Sequence, residues 1–160
     1  WRAIASLKAT WNHLQHGDNP QKTGNNSMIL KADTVTVNAD RNTIHQFLGD
    51  SNNMIHLLPQ DKISDFTSNE ESCSFKVQGG ITISLVQNGT DGLDKLFMKS
   101  GEKSPFPFKL SIVMIDKGDQ TEGYIEFDGE VNAFLKMMVE RPLSNLFNFM
   151  SKKLVEQFNG

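Results

Sequence analysis

Apolar residues alternate with polar ones through the middle of the chain. Cys73, Phe75 and Val77 are separated by Ser74 and Lys76, and Ile81, Ile83 and Leu85 keep the same two-residue period. Leu96 and Met98 repeat it, as do Phe106, Phe108, Leu110, Ile112 and Met114, and then Ile125, Phe127 and Val131 with Gly129 in phase. A two-residue period places alternate side chains on opposite faces, so each run predicts a half-buried strand. Weaker strands are predicted over about 29–37, where Thr34, Val35, Thr36 and Val37 are β-branched, and over 63–68. Gly79-Gly80, Asn88 to Gly92 and Lys117-Gly118-Asp119 are the predicted turns. Between the first two strands, Asn38 or Asp40 can cap a helix whose buried side is Ile44, Phe47 and Leu48. Met54, Ile55, Leu57 and Leu58 suggest a second short helix, ended by Pro59. From Asn132 to Phe158 the period changes to that of a helix, with Leu143, Leu146, Phe147, Met150, Leu154 and Phe158 on one stripe. Pro142 lacks an N–H and is predicted to kink this helix or to start a new one. Consecutive strands with short turns favour antiparallel pairing. A curved antiparallel sheet that buries one long helix leaves an apolar hollow between the two, and there the function is expected.

The first residues stand apart from this pattern. Trp1, Ile4, Leu7, Trp11 and Leu14 form an apolar stripe at three- and four-residue steps, Gly17 is a plausible stop, and Asp18 to Ser27 is a polar, turn-rich linker. Met28 looks like a natural start, so residues 1–27 are read as an N-terminal extension of upstream or foreign origin and residues 28–160 as the domain. The extension is predicted to lie outside the domain's core. Its stripe then needs a cover: the domain's own surface, the mouth of the hollow or a second chain, which makes self-association through this segment one expectation.

Composition narrows the class. A chain of 160 residues can bury a real core as one domain. The net charge is -3 with lysines and arginines scattered, which argues against a nucleic-acid partner. No apolar run approaches the roughly 20 residues of a transmembrane helix. With no export-signal pattern and the single Cys73, the protein is read as cytoplasmic. Eleven Phe stand against one Tyr, with seven Met beside them. Phe and Met fill space without polar handles, and Met adapts its shape, so the inward faces are either a Phe-rich core or a pliable apolar cavity.

The order strand, two short helices, six strands, long helix is the helix-grip arrangement, an α+β fold in which the curved sheet wraps around the C-terminal helix. Val35 to Asp40, Ile44 to Asp50 and Asn53 to Pro59 resemble the opening of the START-like (SRPBCC) superfamily, which includes polyketide cyclases, lipid-transfer domains and birch-pollen-allergen-like proteins. Ser104 to Phe108 and Leu135 to Leu143 look like small uncharacterised bacterial members. The resemblance covers about 28–158. It implies the fold and, more loosely, binding of apolar ligands, since some members are cyclases or hydratases and a fold hosts many chemistries. No catalytic motif of those enzymes can be laid onto this chain.

Candidate chemistry is sparse. Gly79-Gly80 and Gly89/Gly92 lack the helix and lysine of a phosphate-binding loop. Cys73 reads as a buried small residue. His13, His16, His45 and His56 have no further ligands at metal-site spacing, and neither metal nor cofactor is predicted. Phe75, Ile83, Met98, Phe108, Leu110, Ile112, Phe127, Met138, Leu146, Phe147 and Met150 are predicted to face the space between sheet and helix, some as plain core and some as pocket wall. Arg141, beside Glu140, could anchor the carboxylate or phosphate head of an amphipathic ligand, or be a surface pair at a helix break. Three functions fit: a carrier or sensor of a small hydrophobic ligand, a cyclase- or dehydratase-type enzyme acting on one, and an interaction module whose hollow is packed shut.

Overall fold

The computed structural model describes residues 27–77 and 80–159, so the predicted N-terminal helix lies outside the described residues. The predicted first strand is two: β1 (Ser27–Lys31) and β2 (Val35–Val37). Both pair antiparallel with β8 (Thr121–Glu130), at separate stretches. Helix α1 (Arg41–Leu48) starts where Asp40 accepts a 2.8 Å hydrogen bond from the Thr43 N–H, and Gly49 closes it by donating to the His45 carbonyl. A 3-10 helix (Ser51–Leu57) follows, capped by Asp50. Then come β3 (Ile63–Ser68), β4 (Ser72–Val77), β5 (Ile81–Asp91), β6 (Lys95–Ser100) and β7 (Phe108–Asp116), and after β8 the helix α2 (Ala133–Gln157).

The strands form one antiparallel sheet in the order β1-β8-β7-β6-β5-β4-β3, so six consecutive strands make a meander and the chain's first strands close onto its last. The β5–β6 turn falls later than Asn88 to Gly92. β5 continues to Asp91, its register shifts between Gln87 and Thr90, and Gly89 takes a φ of 89° there. An irregularity with a positive-φ glycine bends the strand without ending it.

Asn132 caps α2 by accepting from the Leu135 N–H at 2.9 Å, and Leu135, Val139, Leu143, Leu146, Phe147 and Met150 form its buried stripe. The helix runs through Pro142 unbroken. Pro142 is exposed, so its missing N–H deprives the Met138 carbonyl on the solvent side, where water can take over. The core lies between α2 and the inward faces of the strands, with Met28 and Leu30 of β1 buried in it.

Candidate functional site

The space between sheet and α2 has two ends. At one end four rings fill it. Phe108 and Phe127 lie 5.0 Å apart by ring centroid, Phe127 and Phe147 5.3 Å, and Phe106 stands edge-on to Phe108 at 6.1 Å and to Phe127 at 6.3 Å. Gly129 makes room for them, because a Cβ there would come within 2.8 Å of Phe127 and 3.3 Å of Phe106. Phe75, Ile83, Met98 and Leu110 are buried on the adjoining strands. This end is solid core.

At the other end α1 and the 3-10 helix cover the sheet and leave a cavity of about 40 Å³. Val35 and Val37 come from β2, Ile44 and Leu48 from α1, Met54 and Leu57 from the 3-10 helix, Ile112 and Met114 from β7, Ile125 from β8, and Met150 and Leu154 from α2. Gly123 forms part of the floor, where a Cβ would meet the Val113 carbonyl oxygen at 2.4 Å. The polar groups are few and largely committed. The Thr121 hydroxyl donates to the Ala39 carbonyl at 2.8 Å and the Ser151 hydroxyl to the Phe147 carbonyl at 3.0 Å. Tyr124, the remaining polar wall residue, has the Lys31 ammonium 4.1 Å from its ring centroid. Among the described residues no carboxylate, histidine or lysine lines this cavity.

Of the residues expected to face the hollow, Phe75, Ile83, Met98, Phe108, Leu110, Ile112, Phe127, Leu146, Phe147 and Met150 are buried, but only Ile112 and Met150 are cavity wall. Two expectations are corrected. Met138 is 42% exposed and Arg141 is exposed, because an unbroken α2 turns both away from the stripe through Leu135, Val139 and Leu143. The wall residues on β2, α1 and the 3-10 helix were legible only as apolar faces. What could have singled them out is the need of two short helices to roof an open end of the sheet.

A wider, open groove of about 520 Å³ lies between the 3-10 helix and the end of α2, lined by Ile55, His56, Leu58, Gln60, Lys153, Glu156 and Gln157. Leu57 and Leu154, which line the cavity, are sequence neighbours of His56, Leu58 and Lys153 of the groove. Lys153 pairs there with Glu156 at 3.3 Å. Cys73 is buried, and burial pushes its thiol up to about 12, so it is an un-ionised core residue. Among the described residues no cluster of side chains suits a metal ion, and no helix is long and apolar enough to cross a membrane.

No family model and no curated protein matches this chain. Solved structures do. A START superfamily protein from Mycobacterium smegmatis superposes with a TM-score of 0.60 at 14% identity, covering 81% of this chain and 96% of that one. An uncharacterized protein from Bacillus thuringiensis gives 0.63 at 12% identity, covering 83% and 100%. Norcoclaurine synthase from Thalictrum flavum, solved with dopamine and hydroxybenzaldehyde, gives 0.57 at 14%, covering 89% and 97%. At these identities the likeness is one of fold, and the fold is the helix grip that the element order predicts.

Proposed function

We propose that this protein binds a small hydrophobic or amphipathic molecule between the sheet and α2, at the end roofed by α1 and the 3-10 helix, without transforming it. The observation that carries this reading is the apolar cavity itself, whose Thr121 and Ser151 hydroxyls are already bonded to backbone carbonyls. Such a wall offers contact area and little chemistry. The fold of the neighbouring structures supports binding of a small molecule, and one of them is a synthase solved with two small aromatic molecules, so the reading that the ligand here leaves unchanged rests on the cavity's lining alone.

The cavity's about 40 Å³ is far below the roughly 300–1,000 Å³ of a small-molecule pocket. Binding therefore requires the roof to lift. Met54, Met114 and Met150 can re-pack around a guest, and the guest reaches them along the groove between the 3-10 helix and α2. An acidic head would meet Lys153 in that groove, a role the sequence suggested for Arg141.

The small volume also favours a second reading, a domain whose hollow is packed shut and which acts through its surface. Native mass spectrometry of the protein purified from its own host, with titration of a fluorescent fatty-acid analogue, separates the two. The binding reading expects a co-purifying small molecule, or saturable probe binding that Val35→Trp abolishes while the fold persists. No guest, and probe binding indifferent to Val35→Trp, would leave the packed-shut domain standing.

A further inference from the structure

The outer face of the sheet carries a separate hollow. Along β4 and β5, Cys73, Phe75, Ile83 and Leu85 point into the core, so Ser72, Ser74, Ser84 and Val86 point the other way. An open groove of about 340 Å³ lies over them, between the β3–β4 turn and the loop that follows β6. Its floor is a row of hydroxyls. Thr67 of β3 pairs with Ser74 of β4, and Ser74 with Ser84 of β5, so three hydroxyls stand on one face of three neighbouring strands, about 4.8 Å from strand to strand.

Hydrogen bonds hold both walls. The Asn69 side chain accepts from the Glu71 and Ser72 N–H groups at 2.8 and 2.9 Å, and the Ser68 hydroxyl donates to the Asn52 side chain at 2.7 Å. Across the groove, the Ser104 hydroxyl accepts from the Ser84 N–H at 2.9 Å and donates to the Ser84 carbonyl at 3.2 Å. The same carbonyl takes the Gly101 N–H at 3.0 Å. A Cβ at Gly101 would lie 2.2 Å from the Ser84 Oγ, so glycine is what lets the loop lie this close. The groove is therefore formed before anything enters it.

Ser84 is only 8% exposed, yet among the described residues its hydroxyl has no hydrogen-bond partner. Whatever meets this hydroxyl comes from the groove. The lining also sets the chemistry of that partner. Glu102 and Lys103 are its two charged residues, one of each sign, and no aromatic ring lines it among the described residues. A free anion would meet one ammonium with a carboxylate beside it. A hydroxyl both donates and accepts, so a row of them is matched by a molecule whose own groups do the same.

We propose that this groove binds a small uncharged polyhydroxyl molecule, seated on the row Thr67, Ser74 and Ser84 with Glu102 and Lys103 at its rim. The volume lies within the roughly 300–1,000 Å³ of small-molecule sites. The inference is independent of the apolar-ligand reading, since the groove is on the face of the sheet turned away from α2.

Amide chemical shifts of the isotope-labelled full chain, titrated with glucose and with sorbitol at millimolar concentration, test it. The expected result is saturable shifts at Ser74, Ser84, Val86 and Gly101 with at least one of the two, and none at Ile44 or Leu48 of the cavity. Ser84→Ala, and separately Glu102→Ala, should each weaken this binding about tenfold while the melting transition persists. Glu102 is exposed, so its variant keeps the test open should Ser84→Ala unfold. No saturable shift with either probe would overturn the proposal, as would binding that both variants leave unchanged. Saturation by phosphate or glycine in place of glucose and sorbitol would overturn it too, by assigning the groove to a charged ligand.

Discussion

The two ends of the space between sheet and α2 are built from different side chains. Phe106, Phe108, Phe127 and Phe147 fill one end ring against ring, with Gly129 set where any Cβ would intrude. Val35, Val37, Ile44 and Leu48, with three methionines, leave the other end short of filling. Both ends are apolar and buried, so composition does not separate them. Rigid rings placed against a glycine specify one packing, whereas branched aliphatics and unbranched methionines under a short roof admit several. Stability resides at the first end and adaptability at the second.

Substitutions can break this contrast or sharpen it. Phe127→Ala removes the ring that touches all three others and should cost about 3–5 kcal/mol in chemical denaturation. Apolar-probe binding at the roofed end should be unaffected, and a cost below that of a cavity-wall truncation would erase the distinction. Met114→Ala is expected at the low end, about 2 kcal/mol, because its side chain already borders a void. It should also raise probe affinity, and a full-core cost without any gain in binding would show that the roofed end is equally solid. Gly129→Ala should cost about 1–2 kcal/mol by pushing Phe127 and Phe106 aside, and a neutral result would show that the rings have slack. Val37→Ile adds a methyl to the void, so it should stabilise by about 0.5 kcal/mol and weaken binding. A destabilising Val37→Ile would mean that the space cannot take even one more carbon.

The smallest effect concerns the roof's anchoring. The Thr43 hydroxyl, then its backbone N–H, hold the exposed Asp40 carboxyl below its ordinary pKa. This cap is present above the ordinary carboxylate range and is lost as pH falls through the lowered folded-state value. α1 should therefore loosen in acid before the sheet does, readable as earlier amide exchange at Ile44 and Leu48 than at Leu110.

Most of the architecture could be read from periodicity. Strands that bury one face alternate strictly, as Phe108 to Met114 do, and Asn132 and Phe158 bound the long helix because a cap and a stripe mark its ends. The helix-grip fold followed from the order of elements. Two features escaped for local reasons. Pro142 reads as a break unless it is known to face water, and Met138 lies outward because it falls off the stripe of Leu135, Val139 and Leu143 on the unbroken helix. The break between β1 and β2 has no sequence mark, because residues on either side of Ala32 remain compatible with an extended strand. The site was half legible: the inward faces are the predicted ones, but which positions border space depends on how two short helices seat on the sheet, a tertiary matter that no single run of residues encodes.

The pairing of β1 and β2 with β8 has a kinetic consequence. β3 to β8 are joined neighbour to neighbour and need close only short loops, whereas β1 must find a partner almost the whole domain away. The meander can therefore assemble first, and until β1 arrives the outer edge of β8 offers unpaired N–H and C=O groups to any passing strand. Chains interrupted at that moment would associate edge to edge, so refolding yield should fall with protein concentration and recover when β1 is given more time to close.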